Sequence, residues 1–125
     1  DSSQLGNIPL PDLRRQDSKN RQNSISDLPD ELKKRFNIKI ASHFKAASEL
    51  YEDLLAEGVA KECARFVLPL ATPTRIYMTG SCRSWIHYIN LRSGHGTQEE
   101  HKSIAQNCKS IFKQSFPIVA KSLDW

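Results

Sequence analysis

Residues 57–92 read EGVAKECARFVLPLATPTRIYMTGSCRSWIHYINLR: a short helix, a strand and a second helix, joined by tight connections. Gly58 permits a chain reversal, because glycine takes φ > 0 without steric cost. Residues 60–67 suit a helix, and Pro69, which has no amide hydrogen, stops it. Residues 74–79 alternate polar and apolar, which predicts a half-buried strand with Ile76 and Met78 on one face. Gly80 breaks that strand, and Ser81 is a favourable N-cap for a helix running from Cys82 to Arg92.

On this last helix, at ~100° per residue, Cys82, Trp85, Ile86 and Ile89 share an apolar arc. Arg83, His87 and Asn90 stack on a separate polar face, and Arg92 sits near the exit. Cys82 lies in the first helical turn, where a thiolate is favoured, but its place on the apolar arc points to packing. Arg65, Arg83 and Arg92 thus fall at or near helix ends beside apolar surface. Two readings follow from the pattern: solvated surface cations, or an anion pocket in which planar guanidinium forks meet phosphate, carboxylate or imide groups.

Upstream, residues 27–31 (DLPDE) form a helix start, with an aspartate cap, a proline in the first turn and acids at the positive end of the dipole. Leu32, Phe36, Ile40, Phe44, Ala47, Tyr51 and Leu55 then step by four or three, predicting a long amphipathic helix over about 29–57 that Gly58 ends. His43 lies beside the stripe as a boundary residue. Before it, residues 14–24 (RRQDSKNRQNS) form a basic, amide-rich loop with donors for phosphate: a solvated loop or a nucleic-acid-binding arm. Residues 1–13 are polar and proline-bearing, an irregular arm.

Downstream, the glycines of residues 93–97 make a flexible turn, and Thr97 with Glu100 has the form of a capping box. A helix over 98–115 follows, with Ile104, Cys108, Ile111, Phe112 and Ser115 on one stripe. Pro117 then interrupts, and residues 118–123 form a last turn or two. His95, Glu100 and His101 make a weak metal set, and a surface turn is the simpler reading.

In these residues the chain resembles the flavin-dependent thymidylate synthases. An Ala-Arg-x-x-Leu-Pro segment (residues 64–69), a Thr-Arg strand (residues 74–75) and an Arg-Ser helix ending in Leu91 and Arg92 occur in the family's order. The family signature is Arg-His-Arg, seven residues, then Ser. Here Arg14, Arg15 and Gln16 are followed by seven residues and Ser24, with Arg15 in place of the histidine and Gln16 in place of the second arginine. The resemblance covers most of the chain after Leu13 and corresponds to the latter part of the family's enzyme. Residues 14–125 are therefore expected to be a C-terminal core.

The resemblance implies an α/β (α+β), helix-rich fold with long amphipathic helices packed on a small sheet, as in the thymidylate synthase complementing proteins. It also implies a methyltransferase converting dUMP to dTMP, with methylenetetrahydrofolate as carbon donor and FAD reduced by NADPH. In that family, as the resemblance implies, reduced flavin supplies the hydride and no active-site cysteine attacks the pyrimidine. Arg65 matches the arginine that holds the nucleotide, and Arg92 the arginine on the uracil ring. Ser24 matches a positioning serine, and Gln22 falls where glutamate is common, so it can hydrogen-bond but not act as a base. Arg14, Arg15 and Gln16 fall on the flavin-binding part of the signature, and Ser81, Arg83 and His87 on the helix that meets the flavin. A cytoplasmic homotetramer with shared active sites is implied, with no membrane or nucleic-acid partner.

Composition agrees with these expectations without selecting among them. At 125 residues, 38% hydrophobic and 26% charged, the chain is one soluble domain's worth, and no apolar run is long enough to span a bilayer. Three cysteines without metal spacing suggest small buried thiols in a reducing compartment. A net charge of +4 suits an anionic ligand and suits nucleic acid equally. A basic helical nucleic-acid-binding module, using Arg14 to Arg21 as a phosphate arm, is the alternative. No P-loop, dinucleotide glycine fingerprint or Ser-His-Asp arrangement is present.

Overall fold

The computed structural model describes residues 7–21, 23–94 and 96–125. It is helix-rich, with one small antiparallel sheet, as expected. The elements run β1 (Arg15–Gln16), β2 (Ser24–Ile25), α1 (Asp30–Ala56), α2 (Lys61–Ala64), α3 (Cys82–Arg92), α4 (Glu99–Ser115) and α5 (Pro117–Ser122). The described residues form two compact units: those of 7–14 with 27–77, and those of 15–26 with 78–125.

The first unit is built on α1. The periodic stripe buries Ala47 and Tyr51, with Leu32, Ile40, Phe44 and Leu55 half-buried and Phe36 left exposed. Its N-cap is Pro29, which makes no side-chain cap bond, so Asp27 stands two positions ahead of the N-cap and the proline one position before the first turn. The C-terminus is a Schellman motif: Gly58 at φ +83° donates to the Leu55 carbonyl (3.0 Å), and Val59 donates to Leu54 (2.9 Å). This reversal brings Ala64 of α2 onto Tyr51, and Val59, Val67 and Leu68 pack against that pair. The helix expected over 60–67 is α2 followed by a 3₁₀ turn, Arg65–Val67, which ends in extended backbone at Leu68, just before Pro69.

Residues 74–79 are not a strand. Alternation makes a segment fit for a sheet but does not supply a neighbour, and among the described residues no chain pairs with it. Ile76, Tyr77 and Met78 are 72%, 89% and 69% exposed as a result.

The second unit places α3 on α4 and α4 on α5. Ser81 caps α3 as expected, its Oγ accepting from the Ser84 amide at 3.2 Å. Ile89 is fully buried and Trp85 and Ile86 half-buried, but Cys82 is exposed, so the apolar arc packs through its later turns only. At α4 the N-cap is Gln98, without a side-chain bond; Thr97 lies one residue too early to form the capping box. Ala105 and Phe112 are buried and Cys108 half-buried, while Ile104 and Ile111 face outward. The contact face is therefore rotated from the expected stripe. Pro117 starts α5 at a position where a missing amide hydrogen costs nothing, and Phe112 meets the rings of Phe116 (5.0 Å) and Trp125 (5.5 Å).

Candidate functional site

The basic loop is a hairpin. β1 and β2 pair with Arg15 opposite Ile25 and Gln16 opposite Ser24, and residues 17–21 and 23 belong to the loop between them. Asp17 organises that turn: its Oδ1 accepts from the amides of Lys19 (2.8 Å) and Asn20 (3.3 Å), and its Oδ2 from Asn23 Nδ2 (2.8 Å). This is an aspartate satisfying backbone donors that a tight loop leaves without ladder partners. The loop lies against the turn after α3, where a Cβ added at Gly96 would stand 3.4 Å from Asn20 Nδ2. Gly96 has φ +89°, so both its conformation and this approach favour glycine.

Where the hairpin meets that turn, Arg21, Arg92, Gly96, Thr97, Gln98 and His101 line an open cavity of about 630 Å³. Among the described residues, no carboxylate lines it. Arg92 is the last residue of α3, where the helix carbonyls favour a cation. Thr97, Gln98 and His101 bring the N-terminus of α4, whose first amides have no side-chain cap. Two guanidinium groups and the positive end of a helix dipole thus face one space, and each favours an anion there. His101 is held in place by Tyr88, its Nε2 lying 3.1 Å from the tyrosine hydroxyl.

The other residues singled out by sequence are distributed as follows. Ser24 is half-buried in β2, and Arg15 and Gln16 are exposed in β1. Gln16 turns its amide into the hairpin loop, with Nε2 3.2–3.3 Å from the carbonyls of Asp17, Asn20, Arg21 and Asn23. Ser81 spends its hydroxyl on the α3 cap and on Ser84 Oγ, 3.0 Å away. Arg83 and His87 are exposed one turn apart on α3. Arg14 and Arg65 belong to the first unit: Arg14 pairs with Asp12 at 3.1 Å, and Arg65 is exposed in the 3₁₀ turn. Gln22 and His95 lie outside the described residues.

Arg21, Tyr88, Thr97, Gln98 and His101 were not recognisable as site residues from spacing. Tyr88 and His101 sit on different helices, and no periodicity links them. Arg21 carried a signal as part of the basic run that begins at Arg14, and His101 only as part of the weak metal set with His95 and Glu100.

A family model described as thymidylate synthase complementing protein matches residues 12–118. A flavin-dependent thymidylate synthase of Synechocystis sp. is 52% identical over 114 residues, covering 91% of this chain and 53% of the relative. A probable flavin-dependent thymidylate synthase of Paramecium bursaria Chlorella virus 1 is 51% identical over 112 residues, covering 90% and 52%. One from Thermosipho africanus is 34% identical over 109 residues, covering 86% and 48%. The chain spans about half the length of these curated relatives.

Proposed function

Because the chain belongs to the thymidylate synthase complementing protein family, we propose that it is the nucleotide-binding core of a flavin-dependent thymidylate synthase, converting dUMP to dTMP in the cytoplasm with methylenetetrahydrofolate and NADPH. The observation that carries this reading is the cavity in which Arg92 and Arg21 face the N-terminus of α4, with no carboxylate lining it among the described residues. Such a space suits an anionic nucleotide with a polar ring edge.

In this reading Arg92 meets the uracil carbonyl and imide. Its fixed charge stabilises negative charge as it develops on the ring, without reorganisation at the moment of reaction. Ser24, half-buried opposite Gln16, orients the nucleotide, and Gln22 adds a hydrogen bond. Arg65 enters as a nucleotide ligand on the resemblance alone.

A flavin needs cations for its diphosphate. The donor set fits: Arg83 and His87 lie one turn apart on an exposed helix face, and Arg15 is exposed in β1. These residues would hold FAD, while Gln16 and Ser81 shape the surfaces beside it; Arg14 enters as a flavin ligand on the resemblance alone. When bound, the flavin supplies the hydride. The chain's own groups bind, orient and carry charge.

The exposed Phe66 (81%), Leu70 (105%) and Tyr77 (89%) support burial against further polypeptide, as a homotetramer with shared sites would provide. The test is titration of dUMP into the purified chain, with flavin absorbance recorded on the same samples. Micromolar dUMP binding that Arg92→Lys weakens is expected. Salt-sensitive DNA binding with neither chromophore nor dUMP binding would replace this reading with the nucleic-acid one.

A further inference from the structure

We propose that Gln16 is a positioning residue: its side-chain amide closes the 17–23 loop and so holds Arg21 in the Arg92 cavity. The proposal deepens the nucleotide-binding reading and rests on it for the identity of the anion.

Four backbone carbonyls, those of Asp17, Asn20, Arg21 and Asn23, converge on one point occupied by Gln16 Nε2 at 3.2–3.3 Å. A primary amide has two N–H groups, so they are shared among four acceptors as three-centre bonds. Four acceptors also fix which end of the amide points inward, because the carbonyl end would meet only like dipoles. The loop's own amides turn elsewhere: Lys19 and Asn20 donate to Asp17 Oδ1, and Asn23 donates to the Asn20 carbonyl at 3.0 Å. Donors therefore gather on Asp17 and acceptors on Gln16, and the two side chains adjacent in sequence clamp the loop from both kinds of backbone group.

The consequence for the site runs through Arg21. Its carbonyl is held by Gln16, and its side chain lines the cavity that Arg92 lines. The neighbouring Asn20 rests against Gly96, which lines the same cavity. Releasing the Arg21 carbonyl frees the backbone that carries this guanidinium. The anion then loses one of two preorganised cations, and binding must supply the ordering instead.

The test uses the full chain and three proteins: wild type, Gln16→Glu and Gln16→Arg. Glutamate is nearly isosteric but aims oxygens at four carbonyls; arginine offers five N–H donors in place of two. Amide exchange at Lys19, Asn20 and Asn23 reads the loop, and exchange in α4 reads the integrity of the unit. Titration with inorganic pyrophosphate reads the cavity without depending on dUMP, and titration with dUMP tests the nucleotide reading.

Gln16→Glu should speed loop exchange and weaken pyrophosphate by about tenfold (~1.4 kcal/mol), with α4 protection unchanged. Gln16→Arg should restore the loop protection. Loop exchange at the wild-type rate in Gln16→Glu overturns the proposal. So does an opened loop with unaltered pyrophosphate affinity, or a wild type that binds no pyrophosphate. Pyrophosphate binding without dUMP binding leaves Gln16's role standing and removes the nucleotide reading. If Gln16→Glu also loses α4 protection, Gln16→Met, which removes the donors without adding charge, decides on the same readouts.

Discussion

The Tyr88 hydroxyl and His101 Nε2 stand 3.1 Å apart and join α3 to α4 beside the Arg92 cavity. Trp85 meets Tyr88 edge-on at 5.7 Å, and the Tyr88 and His101 rings are also 5.7 Å apart. The three aromatic rings thus form a continuous series whose polar end is His101. Tyr88→Phe keeps the ring contacts and removes the hydroxyl, leaving a half-buried imidazole nitrogen without this partner. A loss of about 1 kcal/mol is expected, the net worth of one such hydrogen bond. Thermal unfolding of Tyr88→Phe, His101→Ala and the double variant measures the coupling directly. Additive effects would show that the bond contributes nothing.

Gly58 gives a second, independent test. Its φ of +83° is required by the Schellman closure, yet an added Cβ would meet nothing within 4 Å. The cost of Gly58→Ala is therefore conformational, without a steric part, and about 1–2 kcal/mol is expected from left-handed strain. Gly58→Asn should recover part of it, because asparagine tolerates this region better. Denaturant titration of the two variants checks the order; alanine equal to wild type would contradict it.

Ser81→Ala should cost about 1 kcal/mol, the usual value of an N-cap, since its Oγ is the acceptor for the Ser84 amide. Ser81→Asp should retain stability, because it keeps the acceptor and adds a negative charge at the positive end of α3. Thermal unfolding separates the two. A destabilised aspartate variant would mean that the bond to Ser84 Oγ matters more than the cap.

Local signals made the helices legible. The stripe of α1, Gly58 after it and Ser81 before α3 each act within one or two turns of chain, so pattern and structure agree. Failures occurred where the answer depends on a neighbour. Residues 74–79 have the alternation of a strand but no paired chain among the described residues, and the face of α4 is chosen by α3 and α5, which bury the expected Phe112 together with Ala105 and leave Ile104 outside. The hairpin at Arg15–Gln16 and Ser24–Ile25 has two residues on each side, too few for periodicity to register. Its stability comes from Asp17 and Gln16 bonding to the backbone between the strands, which side-chain pattern does not encode. The family resemblance singles out Arg92, which lines the cavity; Arg21 and His101 line the same cavity only because distant segments fold against each other.

Arg92 has a structural reason to exist without any ligand. It ends α3, where unsatisfied carbonyls favour a cation, and it is exposed. A cation that only complements the dipole should tolerate lysine within a few tenths of a kcal/mol, since both side chains carry the charge. An anchor for the pyrimidine edge should not, because lysine replaces a planar fork with a point charge. Arg92→Lys is therefore expected to leave thermal stability nearly unchanged and to weaken dUMP binding by about tenfold or more, ~1.4 kcal/mol or greater. Arg21 supplies the control. It lines the same cavity from a loop instead of a helix end, so Arg21→Lys has no dipole to complement and should affect dUMP affinity alone. Calorimetric titration of dUMP into wild type and both variants, with unfolding curves recorded alongside, decides between the roles. Equal dUMP affinities for wild type and Arg92→Lys would leave Arg92 a helix-end cation and nothing more.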